Sequence, residues 1–148
     1  MTPRRIAPIV GLAGLAVATL AGCEKPYPGA TVWSGTHSDH REAQCWSFDA
    51  GTQVDARDCL QARTSVGEVP VTPGSTIGIS VDPALTEDGW FPAIGDQRLT
   101  TRPLTTTYFR FALSEQNLAE PLELRILALG EGEDQVRGLW LFELSRSS

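Results

Sequence analysis

The sequence predicts an all-β fold, an Ig-like antiparallel β-sandwich that follows an N-terminal targeting segment. Short runs rich in β-branched and aromatic residues begin near Ala30 and are separated by turns that contain Gly, Pro or Asp. About eight such runs fit into the roughly 115 residues available, a spacing typical of a sandwich. A composition of 41% hydrophobic and 20% charged residues also excludes a disordered or collagen-like chain. We therefore expect one domain, spanning residues 31–148.

Individual strands follow from alternation and from turn residues. The clearest is 75–81, in which Ile and Val alternate with small or polar residues and form one apolar face. Asp82 and Pro83 then predict a single helical turn, with Asp82 as its N-cap. The predicted strands are 31–34, 43–48, 66–71, 75–81, 89–94, 97–101, 105–113, 122–129 and 135–144. In a sandwich of such strands the large core residues are expected to be Trp33, Trp46, Trp90 and Trp140.

The segment 114–129 has two interpretations. As a helix it would contain a proline near its start and end at Gly130 as the C-cap. As a strand over 122–129 it places Leu122, Leu124 and Ile126 on one face, because these residues alternate with charged ones. The alternation favours the strand.

The first 22 residues have the pattern of an export signal. Arg4 and Arg5 precede a short apolar stretch, and Leu20-Ala21-Gly22 places small residues directly before Cys23. This order resembles the bacterial lipobox, in which the cysteine sulfur receives diacylglycerol and the signal is removed before it. The alternatives are a plain secretory signal or a short membrane helix, since the apolar run lies at the lower length limit of a spanning helix.

Lipidation of Cys23 predicts where in the cell the folded domain is located. Residues 23–30 contain Pro26 and Pro28, so we expect a short, stiff tether rather than a helix or central strand. Two acyl chains hold a protein stably on a bilayer, whereas one chain holds it only marginally. The formal charge of the whole chain is −6, and removal of two arginines with the signal makes it more negative. The acyl chains must therefore hold the domain on the extracytoplasmic face of the cell membrane without electrostatic help.

Two cysteines, Cys45 and Cys59, remain once Cys23 is lipidated. Export places them in an oxidising compartment, where a pair most often forms a disulfide. A loop of this length would stabilise the fold by about 3 kcal/mol in the chain-entropy model. A free thiol pair and metal thiolates are the alternatives, and a thioredoxin-like Cys-x-x-Cys motif is absent.

One cluster of residues suggests a metal site. His37, Asp39 and His40 lie within four positions, and imidazole and carboxylate groups suit zinc or copper. An extended backbone would put His37 and Asp39 on one face and His40 on the other, so only a turn could bring the histidines together. The alternative is a solvated polar loop between two strands, in which Arg41 would also repel a cation.

No motif for catalysis or nucleic-acid binding was found in the sequence. A Gly-x-Ser-x-Gly elbow, a His-Glu-x-x-His motif and a phosphate-binding glycine loop are all missing, so we expect no enzyme and no cofactor beyond the covalent diacylglycerol. The acidic chain is unsuited to nucleic acid. Two functions fit: a non-catalytic module that binds an envelope protein or ligand, or a lipoprotein that binds a metal or small ligand through His37 and His40.

Several short motifs together resemble a group of small actinobacterial lipoproteins that share domain of unknown function 2771. The resemblance implies a cell-envelope lipoprotein with an Ig-like β domain, and it assigns no catalytic residue. The motifs are Leu20-Ala21-Gly22-Cys23, Thr31-Val32 after the prolines, the pair Cys45 and Cys59, Val69-Pro70-Val71-Thr72-Pro73-Gly74, and Asp88-Gly89-Trp90.

Overall fold

The computed structural model describes residues 22–132 and 134–148, which form strands with two short helical segments. The helical segments are α1 (Ala56–Ala62) and a 3₁₀ turn (Pro83–Thr86). The strands are β1 (Gly29–Ser34), β2 (His37–Glu42), β3 (Cys45–Trp46), β4 (Val66–Val71), β5 (Thr76–Val81), β6 (Trp90–Ile94), β7 (Gln97–Arg98), β8 (Tyr108–Ala112), β9 (Leu122–Leu129) and β10 (Val136–Arg146).

The strands form two sheets that pack face to face. The four-stranded sheet has the order β2-β1-β5-β8, and all of its pairs are antiparallel. The six-stranded sheet has the order β3-β10-β9-β6-β7, with β4 added to β10 as a parallel neighbour. The prediction of an all-β sandwich is confirmed, with one parallel pair in an otherwise antiparallel arrangement. The Ig-like topology stays a prediction.

The main core fills the space between the sheets. Trp90, Trp140 and Phe142 are its largest fully buried side chains, and Trp46 is 7% exposed. Trp33 was predicted to join them, but this prediction is wrong. Since Ala30, Val32 and Ser34 of β1 face the core, the alternation of the strand turns Trp33 to the outer surface.

The segment 122–129 is a strand, as the alternation predicted. Leu124, Ile126 and Ala128 of β9 are buried, while the residues between them are only half-buried. The two interior neighbours β6 and β10 bind both edges of β9, which explains why a strand is more stable here than a helix. The predicted 3₁₀ turn is also present, and the Asp82 carboxylate accepts a 3.0 Å hydrogen bond from the Ala84 N–H.

Two elements differ from the sequence prediction, and several boundaries shift: the predicted strands 43–48, 97–101 and 105–113 shorten to β3, β7 and β8. The segment 37–42, expected as a polar loop, is the edge strand β2, and α1 was not predicted at all. The Asp55 carboxylate caps α1 through the N–H groups of Arg57 and Asp58, and Arg63 ends the helix in the left-handed conformation. Strand β1 begins at Gly29, inside the predicted tether. Within the described residues, no helix has the length and apolar character needed to cross a membrane.

Candidate functional site

The folded domain begins a few residues after Cys23, the predicted anchor residue. The predicted signal lies almost wholly in residues 1–21, outside the described residues, whereas Cys23 is exposed and has a free thiol. The Pro28 carbonyl accepts hydrogen bonds from the Trp140 indole N–H and the Ala43 N–H, both at 3.0 Å. Because Trp140 is fully buried, these bonds tie the end of the tether to the core. Only the few residues between Cys23 and Pro28 separate the anchor from the rigid domain.

The predicted disulfide is present between Cys45 of β3 and Cys59 of α1. Cys59 is buried and packs with Leu139 and Leu141 on the outer face of β10. The bridge therefore fastens α1 over the outer face of the six-stranded sheet. A helix of seven residues is too short to be stable alone, so the bond and this small cluster hold it in place.

The histidine cluster does not form a three-ligand metal site in this structure. His40 lies on the outer face of β2 and shares a 2.9 Å hydrogen bond with the Thr31 hydroxyl. Asp39 is paired with Val32 and Arg41 with Ala30, so both point toward the inner side of the strand. Among residues 22–132 and 134–148, no group of three His, Cys, Asp or Glu side chains is arranged to hold a metal ion.

Asp39 is instead held by hydrogen bonds that stabilise the fold. Its carboxylate accepts two hydrogen bonds from Arg41, at 2.8 and 3.2 Å, and a third from the Glu68 N–H at 2.9 Å. Burial raises the pKa of Asp39, but these hydrogen bonds outweigh it and leave the pKa below its ordinary value. The charged pair thus closes the gap between the edge of β2 and the neighbouring edge of β4. Inward-pointing charges of this kind also discourage edge-to-edge aggregation.

The most distinctive surface is the outer face of the four-stranded sheet. Trp33 lies over Gly78 of β5, so close that a Cβ at Gly78 would overlap the indole ring. The ring continues toward Tyr108 of β8, with the two centroids 6.5 Å apart and the planes inclined by 14°. Tyr108 is 43% exposed and Trp33 is half-buried. We call Trp33, Gly78 and Tyr108 the aromatic face.

Polar side chains flank the aromatic face. The strand register places Arg110 in the same row as Trp33 and Gly78, and Thr31 and Ser80 in the row of Tyr108. Residues in one row of an antiparallel sheet share a face, so these groups point to solvent beside the rings. A flat apolar surface with hydrogen-bonding groups at its margins can bind a ligand.

Sequence reasoning missed the aromatic face because it assigned Trp33 to the core. One signal was present: Gly78 interrupts an apolar strand, and an isolated glycine there often marks a close approach of another group. The three residues of the aromatic face come from three different strands, which local patterns do not connect.

Comparisons with protein-family models, with curated proteins and with solved structures return no match for the chain. The resemblance drawn from the short motifs thus stays a prediction. The residues that the structure brings together must support any functional proposal.

Proposed function

We propose that the protein is a cell-envelope lipoprotein, held on the extracytoplasmic face of the membrane by diacylglycerol on Cys23. Its Ig-like sandwich acts as a non-catalytic module that binds an envelope protein or ligand. The order of charged, apolar and small residues before Cys23 supports the anchor, as does the resemblance to the actinobacterial lipoproteins. The disulfide between Cys45 and Cys59 agrees with an oxidising compartment.

The observation that supports binding is the aromatic face. Trp33 and Tyr108 form a nearly flat surface on a sheet whose outer side no described helix covers. Large rings that are already held in place lose little conformational entropy on binding, which is why Trp and Tyr dominate many interfaces. Gly78 supports this arrangement, because its missing side chain lets the indole lie flat.

Metabolic labelling tests the anchor. Cells that express the full chain with a tagged palmitate should label the wild type and fail to label Cys23→Ser. The double variant Cys45→Ser, Cys59→Ser is the matched control and should keep its label, since the proposal gives acylation to Cys23 alone. An unlabelled wild-type protein that remains in the cytoplasm contradicts the proposal.

Crosslinking in native membranes tests the binding face. Full-length protein and the variants Trp33→Ser and Tyr108→Ser are crosslinked, and the species attached to each are identified by mass. We expect a specific partner of the wild type that both variants lose. Arg57→Ser is the control, because Arg57 is exposed on α1, which lies over the six-stranded sheet. A partner retained by both face variants, or lost equally by the control, counts against the aromatic face.

A further inference from the structure

A second group of exposed aromatic side chains lies beside the anchor. Among the described residues, the large hydrophobic side chains that are exposed are Tyr27 (42%), Phe48 (46%) and Tyr108. Tyr27 and Phe48 touch, with ring centroids 5.7 Å apart, and the Lys25 ammonium lies 5.5 Å from the Phe48 ring. We call Lys25, Tyr27 and Phe48 the anchor-side surface. A cavity of about 340 Å³ opens next to it.

Buried contacts hold Phe48 in its exposed position. The Arg137 side chain, which is 10% exposed, donates hydrogen bonds to the Ser47 carbonyl at 2.9 Å and the Phe48 carbonyl at 3.2 Å. Its guanidinium lies 4.4 Å from the centroid of the Trp46 ring. The Asp49 carboxylate then closes the loop by accepting from the Gly51 N–H at 3.0 Å. Phe48 therefore projects from a loop whose backbone is fastened to the core.

The backbone at Tyr27 is also held in place, because the next residue, Pro28, accepts hydrogen bonds at its carbonyl from Trp140 and Ala43. Tyr27 lies four positions after Cys23, so an extended chain spans at most about 14 Å between them. The glycerol of an acylated Cys23 lies at the boundary of the hydrocarbon, and the headgroup layer above it is roughly 5–7 Å thick. The tether is therefore long enough to span the headgroup layer and short enough that both rings can reach the membrane surface.

The chemistry of this surface matches that layer. Tyr and Trp concentrate where hydrocarbon meets water, since their rings are apolar and their edges polar, and lysine extends its ammonium toward the headgroups. Attraction to anionic lipid is excluded as the main force, because the chain is acidic and Asp82 and Glu87 line the adjacent cavity. The rings supply contact area that does not depend on lipid charge.

We infer that the anchor-side surface of Lys25, Tyr27 and Phe48 docks into the headgroup layer of the membrane and orients the domain. The inference rests on the proposed anchor at Cys23. Docking adds to the affinity of the acyl chains and restricts rotation about the tether.

The test uses a single synthetic acyl chain, so that the contribution of the rings can be measured. The chain Cys23–Ser148 is coupled at the Cys23 thiol to a myristoyl maleimide, which alone gives a binding constant on the order of 10⁴ M⁻¹. Partition into phosphatidylcholine vesicles is measured by sedimentation. We expect the double variant Tyr27→Ser, Phe48→Ser to lower the partition constant about tenfold, the effect of withdrawing two half-exposed rings from the interface.

Tyr108→Ser is the matched control, because Tyr108 is exposed to the same degree and belongs to the aromatic face. It should bind vesicles like the wild type, and adding phosphatidylglycerol should not enlarge the difference made by the double variant. Far-ultraviolet circular dichroism of each variant must match that of the unsubstituted chain, and each variant must unfold cooperatively in urea. Equal partition of the double variant and the wild type overturns the proposal, as does an equal loss in the control.

Two further outcomes separate this inference from the proposed function. The synthetic chain makes the vesicle result independent of whether cells acylate Cys23, which the metabolic label tests alone. Sedimentation equilibrium without vesicles detects self-association. A wild-type dimer that becomes monomeric in the double variant would assign the anchor-side surface to a second copy of the chain and refute docking on lipid.

Discussion

The two sheets of the sandwich differ in how much of their surface is covered. In the six-stranded sheet, β10 is buried on both faces, since Trp140 and Phe142 face the core while Leu139 and Leu141 pack beneath α1. In the four-stranded sheet, the apolar residues of the inner face are buried along β1 and β5, whereas the outer face is half-buried along β1 and exposed along β8, with Gly78 buried beneath Trp33. The six-stranded sheet therefore buries apolar residues on both of its faces, whereas the four-stranded sheet leaves one face accessible to solvent.

Trp140 and Trp33 test this difference most strongly, because the same residue type occupies both sheets. Trp140→Ala should lower the free energy of unfolding by about 4 kcal/mol, since it opens a core cavity and leaves the Pro28 carbonyl without its indole donor. Trp33→Ala should cost about 1 kcal/mol, because the ring is half-buried on the surface. Urea unfolding followed by circular dichroism measures both values. Equal losses would mean that the outer face contributes to stability as much as the core does.

Gly138 and Gly78 form a second matched pair. A Cβ at either position would overlap an indole ring, Trp46 for Gly138 and Trp33 for Gly78. Trp46 is enclosed by the core and contacts Trp140, so Gly138→Ala should destabilise the protein by about 2 kcal/mol through overpacking.

Gly78→Ala should change stability by less than about 1 kcal/mol, because Trp33 can turn outward and alanine suits a strand better than glycine. It should nevertheless disturb the aromatic face, which the crosslinking of Trp33 and its partner would report. Urea unfolding of the two variants compares their losses of unfolding free energy. A larger loss for Gly78→Ala than for Gly138→Ala would contradict the contrast between the sheets.

The sequence was informative where alternation and burial coincide. Strands β4, β5 and β9 have regular apolar faces, and the structure places all three within one or two residues of the prediction. Strand β2 was missed since its charged residues alternate with other polar ones, and only its pairing with β1 makes it a strand. Helix α1 was missed because seven residues give only a weak helical pattern in the sequence. The disulfide between Cys45 and Cys59 stabilises this short helix, which its own residues could not do alone.

The candidate surfaces were less predictable than the fold. The Cys45–Cys59 bond was predictable from the cysteine count and the predicted export signal, both of which can be read without knowing the fold. The aromatic face depends on which way Trp33 points, and a one-residue change of register would reverse that direction. The anchor-side surface depends on Arg137, far along the chain, which fastens the loop of Phe48. Contacts between distant segments of this kind leave no pattern in a single sequence.

The smallest change in unfolding free energy is expected for Asp39, which lies between the edges of the two sheets. The pKa of Asp39 lies below its ordinary value of 3.8, because hydrogen bonds from Arg41 and the Glu68 N–H outweigh its burial. A lowered folded-state pKa means that the pair stabilises the fold fully above pH 3.8 and loses this effect as the pH falls through the lower folded value. Asp39→Asn should therefore cost about 1 kcal/mol near neutral pH and progressively less below that window.

Asp96→Asn is the control for this titration, because the Asp96 side chain is 99% exposed although it also contacts an arginine, Arg125. Exposed ion pairs contribute little, so its unfolding free energy should follow the wild type at every pH. Urea unfolding between pH 2.5 and pH 7 (a range chosen to bracket the ordinary carboxyl pKa of about 4) measures both variants. A constant difference between Asp39→Asn and the wild type across that range would show that the side chain acts through its shape alone. A difference that disappears in acid would show that the charge of Asp39 holds the open edge of the four-stranded sheet against β4, through the hydrogen bond that it accepts from the Glu68 N–H.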